Sequence, residues 1–327
     1  MNDIAIIVGD RGQDGTLLRA SLEKKGFWVI GIGRDRISIP NQIANNVRVP
    51  FSVADSGQVV GLIKSVKPSS IYYLAAHHVS SEQNGSDSCP AEYQAYHEVH
   101  VSGLLNFLWA VRNHSPRSRL FYAASSLIFN GIHGPRQDEH TPFTPVGFYG
   151  LTKAQGILIC REFRERYAIY AAGGILYNHE SFLRSDKFLS KKLITAAHEI
   201  SRGLRNELIL GNLSAETDWG YAPDFVEAFQ YILSADSPDD YVIATGESHS
   251  VGEFSKIVFE CFGLNYLNYV HESTAILSRN VPRKVGDYTK LKRATGWKPR
   301  YDFSNMVQAL VRDYLESINS MTSTYIK

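Results

Sequence analysis

The chain has 327 residues and a formal net charge of +1, from 34 basic and 33 acidic side chains. Such a balance argues against nucleic acid or a membrane surface as the main partner. Three widely separated cysteines, Cys89, Cys160 and Cys261, frame neither a disulfide pattern nor a metal site. The first residues lack the features of a signal peptide, and no apolar run approaches the roughly 20 residues of a membrane span. We therefore expect a cytoplasmic globular protein of one or two domains.

The N-terminal residues have the pattern of a dinucleotide-binding unit. The apolar run from Ile4 to Val8 predicts a buried strand. A Gly-x-x-Gly-x-x-Gly turn follows, then an amphipathic helix that ends at Gly26 and a second strand over 27–32. In this context the glycines favour a pyrophosphate at the helix N-terminus, although a glycine-rich turn without a nucleotide is the alternative. We expect cofactor contacts from Gly9, Gly12, Gln13, Asp14 and Gly15.

The end of the second predicted strand bears on the choice of cofactor. An acidic residue there would bind a ribose 2′-hydroxyl, whereas arginine suits a 2′-phosphate. The chain has Gly33, Arg34, Asp35 and Arg36 at this point. The arginines favour NADP, and Asp35 leaves NAD open. A solvated loop is the competing interpretation for both arginines.

Further strands and helices alternate along the chain, and we place them at 53–64, 70–76, 106–111, 120–124 and 149–167. The alternation predicts an α/β fold, a Rossmann-like doubly wound parallel sheet with its site at the carboxyl ends of the strands. Additional cofactor contacts are expected from Asp55, Leu74, Ala75 and Ala76. His77 and His78 follow the 70–76 strand, but no third ligand stands at metal spacing, so we expect hydrogen bonding there and no metal site.

The candidate chemistry lies between Phe121 and Lys153. Ser126 follows a predicted strand, and Tyr149 and Lys153 form a Tyr-x-x-x-Lys that places both on one face of a helix. An ammonium that close favours the phenolate, so we expect Tyr149 to exchange a proton nearer neutral pH than its usual pKa of about 10. Ser126 would hold a substrate hydroxyl in line with the phenol. A surface helix pair is the alternative for this short motif.

After Gly173 the pattern becomes irregular, which predicts a smaller lobe over the pocket. We expect a dinucleotide-binding domain over 1–177, with a returning segment at about 213–245. The smaller, interleaved substrate-binding lobe would then comprise 178–212 and 246–327. No linker separates the two parts in the sequence.

Several motifs together resemble the extended short-chain dehydrogenase/reductase superfamily, and within it the GDP-mannose 4,6-dehydratase family. They include GDRGQDG, KPSSIYYLAA, GILYNHES, LGNLSAETDWGYAPDFVEA and TGWKP. The similarity extends over nearly the whole chain. It implies that Tyr149 takes the proton of a sugar C4-hydroxyl while NADP accepts the hydride, and that Lys153 tunes Tyr149 and holds the nicotinamide ribose.

The resemblance also implies the substrate-binding residues and the assembly. Ser126 matches the family's active-site threonine, Asn178 a residue near the sugar diphosphate, and Lys192 and Asn212 nucleotide-contacting positions. The full set expected to contact a GDP-linked sugar is Ser125, Ser126, Asn178, Glu180, Lys192, Leu210, Asn212 and Arg279. A homodimer or homotetramer is implied, with subunits packed through two long helices at about 98–112 and 149–166.

The departures from the family pattern concern the reaction. In the dehydratases, a glutamate two residues beyond the active-site threonine drives loss of water. With Ser126 matched to that threonine, Ile128 stands at the position of the glutamate. No acidic residue occurs between Phe121 and Gly131. Because a positioned acid or base typically contributes about 10²- to 10⁴-fold, elimination should be crippled while hydride transfer is not.

Other departures concern the substrate. Thr217 stands where an arginine is expected, residues 278–284 replace another family motif, and extra polar residues occur between 79 and 91. A GDP-heptose or modified GDP-hexose is therefore as plausible as GDP-mannose. We expect a C4 dehydrogenase, 4-keto reductase or epimerase. The alternatives are a 4,6-dehydratase whose acid comes from Glu180 or Glu139, and a catalytically silent NADP-binding partner or sensor.

Overall fold

The computed structural model describes residues 3–34, 36–39, 47–77, 89–129, 134, 136–273 and 283–324. Within these ranges the strands are β1 Ile4–Val8, β2 Trp28–Ile32, β3 Arg36–Ile39, β4 Val47–Pro50, β5 Ser70–Tyr73, β6 Arg119–Ala123, β7 Arg136–Gln137, β8 Ala171–Leu176, β9 Asn178–Glu180, β10 Leu208–Leu210, β11 Glu216–Thr217, β12 Trp219–Tyr221, β13 Asp240–Ile243, β14 His249–Ser250, β15 Val270–Glu272 and β16 Val285–Gly286. The helices are α1 Gln13–Lys24, α2 Ser56–Val66, α3 Pro90–His97, α4 Gly103–His114, α5 Gly147–Tyr167, α6 Leu189–Ser201, α7 Ala222–Ser234, α8 Val251–Cys261, α9 Thr289–Thr295 and α10 Phe303–Thr324.

The main sheet has eight strands in the order β13-β8-β6-β5-β1-β2-β3-β4. Neighbours from β13 to β2 run parallel, and β3 and β4 extend this edge as an antiparallel pair. The chain moves from β1 outward to β2 and later returns to β5 on the other side of β1. In open α/β sheets, ligands bind outside the carboxyl ends of the strands at such a reversal. The predicted doubly wound fold is confirmed.

Helices cover both faces of the sheet, as its apolar strands require. Apolar side chains of α2, α4 and α5 fill the cluster on one face. Those of α1 and α7 fill the cluster on the other face. Gly173 of β8 faces Ile157 of α5 so closely that an added Cβ would overlap its side chain. This close approach fixes α5, and with it Tyr149, against the sheet.

A third apolar cluster lies among α6, α8 and α10 and includes Trp219 and Phe303. Three two-stranded ladders join this part of the chain: β9 with β12, β10 with β15, and β11 with β14. The helix α7 packs on the main sheet and β13 forms its edge, and both belong to the predicted returning segment. The exact domain boundaries stay a prediction.

Three local features differ from the sequence-based expectations. The strand predicted over 70–76 ends at Tyr73, because the chain leaves the sheet there to cross the turn at Gly9. Arg36, for which a solvated loop was the competing interpretation, begins β3, which pairs antiparallel with β2. The third feature is a π-helical turn, Glu98–Ser102, which joins α3 to α4 and which no sequence pattern indicated. Among the described residues, no helix is long and apolar enough to cross a membrane.

Candidate active site

The glycine-rich turn lies at the reversal of the sheet, between β1 and α1. Gly9 has φ 94°, and a Cβ there would be 2.8 Å from the backbone nitrogen of Ala75. A Cβ at Gly15 would overlap the carbonyl oxygen of Gly9. Gly12, at the N-cap of α1, has no side chain with which to cap the helix. Backbone N–H groups at the start of α1 are thus open to an anion, and the turn fits a dinucleotide pyrophosphate.

Two arginines flank the end of β2, where an adenosine ribose would lie in this fold. Arg34 is exposed in the hairpin turn. The Cδ of the exposed Arg11 would be 3.4 Å from a Cβ at Gly33, so it reaches the same place. Asp10 also approaches Gly33, but its carboxylate is paired with Arg19 at 3.1 Å. Positive charge therefore dominates here. Arg11 was not identified from the sequence as a second positive charge near the end of β2.

The side chains of the first turn of α1 contact protein groups. Gln13 donates from Nε2 to the carbonyl oxygen of His179 at 3.1 Å and accepts from Ser181 at 2.8 Å. His179 Nε2 lies 2.9 Å from Asp14 Oδ2. Burial raises the pKa of Asp14, but His179 and Arg184 outweigh it and lower the pKa to about 2. These bonds brace the turn against β9, so a cofactor contact here would come from backbone N–H groups.

Tyr149 and Lys153 project from the first two turns of α5. The Lys153 side chain is buried and donates from Nζ to the carbonyl oxygen of Ala123 at 2.7 Å. Its Nζ is 5.8 Å from the centroid of the Tyr149 ring and 5.1 Å from that of Tyr122. Burial lowers the pKa of Lys153 to about 7. Burial thus favours the neutral amine relative to an exposed lysine.

Burial also dominates the ionisation of Tyr149. It raises the pKa of the phenol to about 12, although the Arg184 guanidinium and a hydrogen bond from Ser125 each lower it. We expected a lowered pKa because of Lys153. That expectation is wrong for the described structure, since desolvation of the phenol exceeds the effect of its neighbours. Arg184, in the loop after β9, gave no signal in the sequence because only the fold brings it near α5.

The Ser125 hydroxyl, and not that of Ser126, lies close enough to the Tyr149 phenol to lower its pKa. A 3-10 turn, Ser126–Phe129, begins directly after Ser125. Ser126 is only 5% exposed, whereas Ser125 is half-buried and faces the site. The geometry therefore favours Ser125 for the role that the resemblance gave to Ser126.

Comparisons with known proteins identify the family of this chain. The profile of the GDP-mannose 4,6 dehydratase family matches residues 6–310. The chain belongs to this family. It is 36% identical over 331 residues to GDP-mannose 4,6 dehydratase 2 of Arabidopsis thaliana, covering 96% of this chain and 87% of that protein. It is also 36% identical over 348 residues to the GDP-mannose 4,6 dehydratase of Homo sapiens, covering 96% and 92%.

Solved structures show the same fold at lower identity. RMD from Pseudomonas aeruginosa, solved in complex with NADPH, aligns with a TM-score of 0.80 at 16% identity. The alignment covers 97% of this chain and 100% of that one. The likeness shows that the two chains share one fold, and the family match supports an enzyme.

If Ser125 takes the role of the family's threonine, the position that family dehydratases give to glutamate also moves by one residue. Counted from Ser125, it is Leu127, which is half-buried beside Ser125 and whose N–H donates to the Ser125 hydroxyl at 3.3 Å. Ile128 is fully buried in the core. Neither residue is acidic, so the expected absence of a carboxylate at this position holds for both alignments.

The two glutamates considered as replacements are engaged elsewhere. Glu180 is buried, accepts a hydrogen bond from Ser190 and lies 3.3 Å from the Nε of Arg184. Glu139 accepts a hydrogen bond from the backbone N–H of Val242, in β13, at 2.7 Å. Burial raises the pKa of Glu139. Of the two, only Glu180 is linked to the site, through Arg184.

The remaining predicted residues divide by location. Asn178 is exposed at the start of β9, and Lys192 is half-buried in α6. Leu210 is buried in the third apolar cluster. The Asn212 side chain accepts from the backbone N–H and the hydroxyl of Ser214.

On the cofactor side, Leu74, Ala75 and Ala76 follow β5 and pass the turn at Gly9. The Asp55 carboxylate caps α2 by accepting from the backbone N–H of Gln58 at 3.0 Å. Asp35, His78 and Arg279 lie outside the described residues. Within the described residues, no group of three or more His, Cys, Asp or Glu side chains could hold a metal ion.

Proposed function

We propose that the protein transfers a hydride between NADP and C4 of a GDP-linked hexose or heptose, as a dehydrogenase, 4-keto reductase or epimerase, without loss of water. One observation carries the proposal. The Ser125 hydroxyl lowers the pKa of the Tyr149 phenol beside Lys153, and neither Leu127 nor Ile128, the two positions where elimination would need an acid, is acidic. Family membership supports a GDP-linked sugar as substrate.

In the oxidising direction, Tyr149 would remove the proton of the C4-hydroxyl while Ser125 holds that hydroxyl in line with the phenol. The nicotinamide, when bound, supplies the acceptor for the C4 hydride. Arg184 lowers the pKa of Tyr149 and so offsets part of the rise that burial causes. Lys153, on the same helix as Tyr149, provides a second basic group, and burial lowers the pKa of its amine. Such general base catalysis typically contributes about 10²- to 10⁴-fold.

Elimination of water needs a second proton transfer, at C5 and C6 of the sugar. A leucine side chain cannot exchange a proton, and Glu180 is bound to Arg184 and Ser190. The second candidate function is GDP-mannose 4,6-dehydratase, which the 36% identity to proteins of that name favours. For that activity Glu180 would have to leave its partners and reach the sugar.

Product analysis separates these functions. The purified protein is incubated with GDP-mannose, a modified GDP-hexose or a GDP-heptose, and with NADP⁺ or NADPH. A net change in cofactor absorbance without loss of water from the sugar supports the proposal. Inversion of the C4 centre, observed by NMR without net cofactor change and without loss of water, also supports it. Loss of water without net change in cofactor establishes the dehydratase and overturns it. Cofactor binding without turnover of any sugar contradicts both functions.

The proposed preference for NADP gives a prediction at Arg11 and Arg34. Replacing both by serine should raise the Kd for NADP⁺ about 10²- to 10⁴-fold, because each charged hydrogen bond to a phosphate contributes roughly 1.5–3 kcal/mol and two are lost. The Kd for NAD⁺ should stay within about twofold of that of the unmodified protein. Isothermal titration calorimetry measures both constants.

The matched control is Arg117→Ser. Arg117 is exposed two residues before β6, near the amino ends of the parallel strands and away from the carboxyl end of β2, and its replacement should change neither constant. Equal weakening of both nucleotides by the double variant would show that these arginines do not recognise the 2′-phosphate.

We further propose that the protein is a homodimer joined through α4 and α5, with a tetramer as a pair of such dimers. Three large apolar side chains are exposed on these two helices: Leu158 at 52%, Trp109 at 39% and Leu151 at 38%. Leu151 and Leu158 are two turns apart on α5 and so share a face. The Trp109 ring, on α4, packs against the Phe163 ring, on α5, with 5.1 Å between the ring centroids.

Leu158→Arg should convert this dimer to a monomer, because it places a charge in the centre of an apolar interface. Size-exclusion chromatography with light scattering measures the mass. Leu267→Arg, at a leucine that is 66% exposed away from these helices, is the control and should leave the mass unchanged. An unmodified protein that is already monomeric would contradict the dimer.

A further inference from the structure

A histidine that the proposed chemistry does not use lies at the centre of the π-helical turn between α3 and α4. The three segments form one helical run, Pro90–His114, with the π turn over Glu98–Ser102. His100, in this turn, is fully buried. π turns are uncommon and occur frequently at functional sites. Here the turn directs an imidazole at α5.

His100 joins the loop after β5 to the first turns of α5 through a directed chain of hydrogen bonds. The backbone N–H of His77 donates to His100 Nε2 at 3.1 Å, and His100 Nδ1 lies 2.8 Å from Thr152 Oγ1. A backbone N–H can only donate, so Nε2 is the acceptor and the neutral ring carries its proton on Nδ1. Nδ1 therefore donates to Thr152.

The chain of hydrogen bonds ends beside Tyr149. The Thr152 hydroxyl donates to the carbonyl oxygen of Phe148 at 2.9 Å, and the carbonyl oxygen of Tyr149 is 3.1 Å away. Each hydrogen in the chain thus points towards the turn that bears the phenol. Because Thr152 is fully buried, water cannot replace a lost partner without rearrangement.

Ring contacts act on the same side chain. The His100 ring meets the Tyr149 ring edge to face, with centroids 5.3 Å apart and an interplanar angle of 90°. The Tyr96 ring, also edge to face, is 6.0 Å from Tyr149 at 82°. His100 therefore contacts Tyr149 directly and also fixes its backbone through Thr152.

We propose that His100 is a positioning residue, which holds the Tyr149 phenol towards Ser125 through its Nδ1–H bond to Thr152 and its ring contact. The proposal rests on the proposed role of Tyr149 as the base. A displacement of about 1 Å at a reacting group can cost about 10²-fold in rate. The hydrogen bond from His100 to Thr152 controls the position of the first turn of α5, which carries Tyr149.

The kinetic test uses His100→Phe, which retains a ring without its hydrogen bonds, and Thr152→Val, which replaces the hydroxyl by a methyl group. Each should lower kcat about 10- to 100-fold, while KM for the sugar nucleotide and Kd for the cofactor stay within about twofold. His100→Asn should restore kcat to within about threefold of the unmodified enzyme, because its amide can donate from near the position of Nδ1.

Thr195→Val is the control. Thr195 lies in α6 with a buried hydroxyl that has no hydrogen-bond partner in the described structure, and its replacement should leave kcat unchanged. Unchanged kcat in both Thr152→Val and His100→Phe overturns the proposal. An increase in KM and Kd with kcat unchanged also overturns it, since the effect would then be on binding. Should His100→Phe fail to fold, Thr152→Val decides.

A second readout does not depend on turnover. The ¹³Cζ tyrosine resonance of Tyr149, assigned by its absence in Tyr149→Phe, should shift or broaden in Thr152→Val and His100→Phe and stay unchanged in Thr195→Val. If the unmodified protein turns over no sugar nucleotide, the proposed function fails, and this spectrum still decides whether His100 positions the phenol. An unchanged resonance in both variants contradicts the positioning role even where turnover is normal.

Discussion

Tyr149→Phe should reduce turnover of the sugar nucleotide by about 10³-fold or more. Phenylalanine keeps the ring contacts with His100 and Tyr96 but lacks the hydroxyl that meets Ser125. Loss of a general base typically costs about 10²- to 10⁴-fold. The cofactor Kd should change by less than about threefold. Initial rates and calorimetric titration with NADP⁺ give the two quantities.

Tyr231→Phe is the matched control, because that tyrosine is 43% exposed on α7, a helix that packs on the opposite face of the sheet from α5. It should have the turnover of the unmodified enzyme. Residual turnover within about tenfold in Tyr149→Phe would mean that another group accepts the C4 proton. Loss of cofactor affinity would instead make Tyr149 chiefly a binding residue.

The sheet and the glycine-rich turn could be predicted because their signals are local. A buried strand such as Ile4–Val8 is apolar throughout, and the turn needs glycines at Gly9 and Gly15, where a Cβ would meet backbone atoms. The Tyr-x-x-x-Lys motif predicted that Tyr149 and Lys153 share one side of a helix for the same reason.

The rest of the site depends on contacts between distant segments. Strand periodicity does not extend into the 3-10 turn after Ser125, so the sequence could not decide which of two adjacent serines meets the phenol. Arg184 and His100 reach Tyr149 only when β9 and the π turn pack beside α5. The sign of the pKa shift of Tyr149 follows from burial, which the four-residue spacing does not show.

Leu127→Glu should introduce loss of water from GDP-mannose, with a rate at least about tenfold above that of the unmodified protein. Leu127 lies two residues after Ser125, whose hydroxyl is near the Tyr149 phenol. Because Leu127 is half-buried, we expect a glutamate there to reach the sugar and to exchange protons with solvent. A positioned acid or base typically contributes about 10²- to 10⁴-fold. Mass spectrometry of the product measures the gain. Leu127→Gln has the same shape without the acid and should give none.

Ile128→Glu should instead unfold the protein or destabilise it by about 4 kcal/mol or more. Ile128 is fully buried among apolar side chains, where removal of the aliphatic group alone costs roughly 2–5 kcal/mol. An unpaired carboxyl group there adds a desolvation penalty and would be protonated, with a raised pKa. Urea unfolding with a common m-value measures the difference. A stable Ile128→Glu protein that eliminates water would return the acid position to Ile128, and with it the active-site hydroxyl to Ser126.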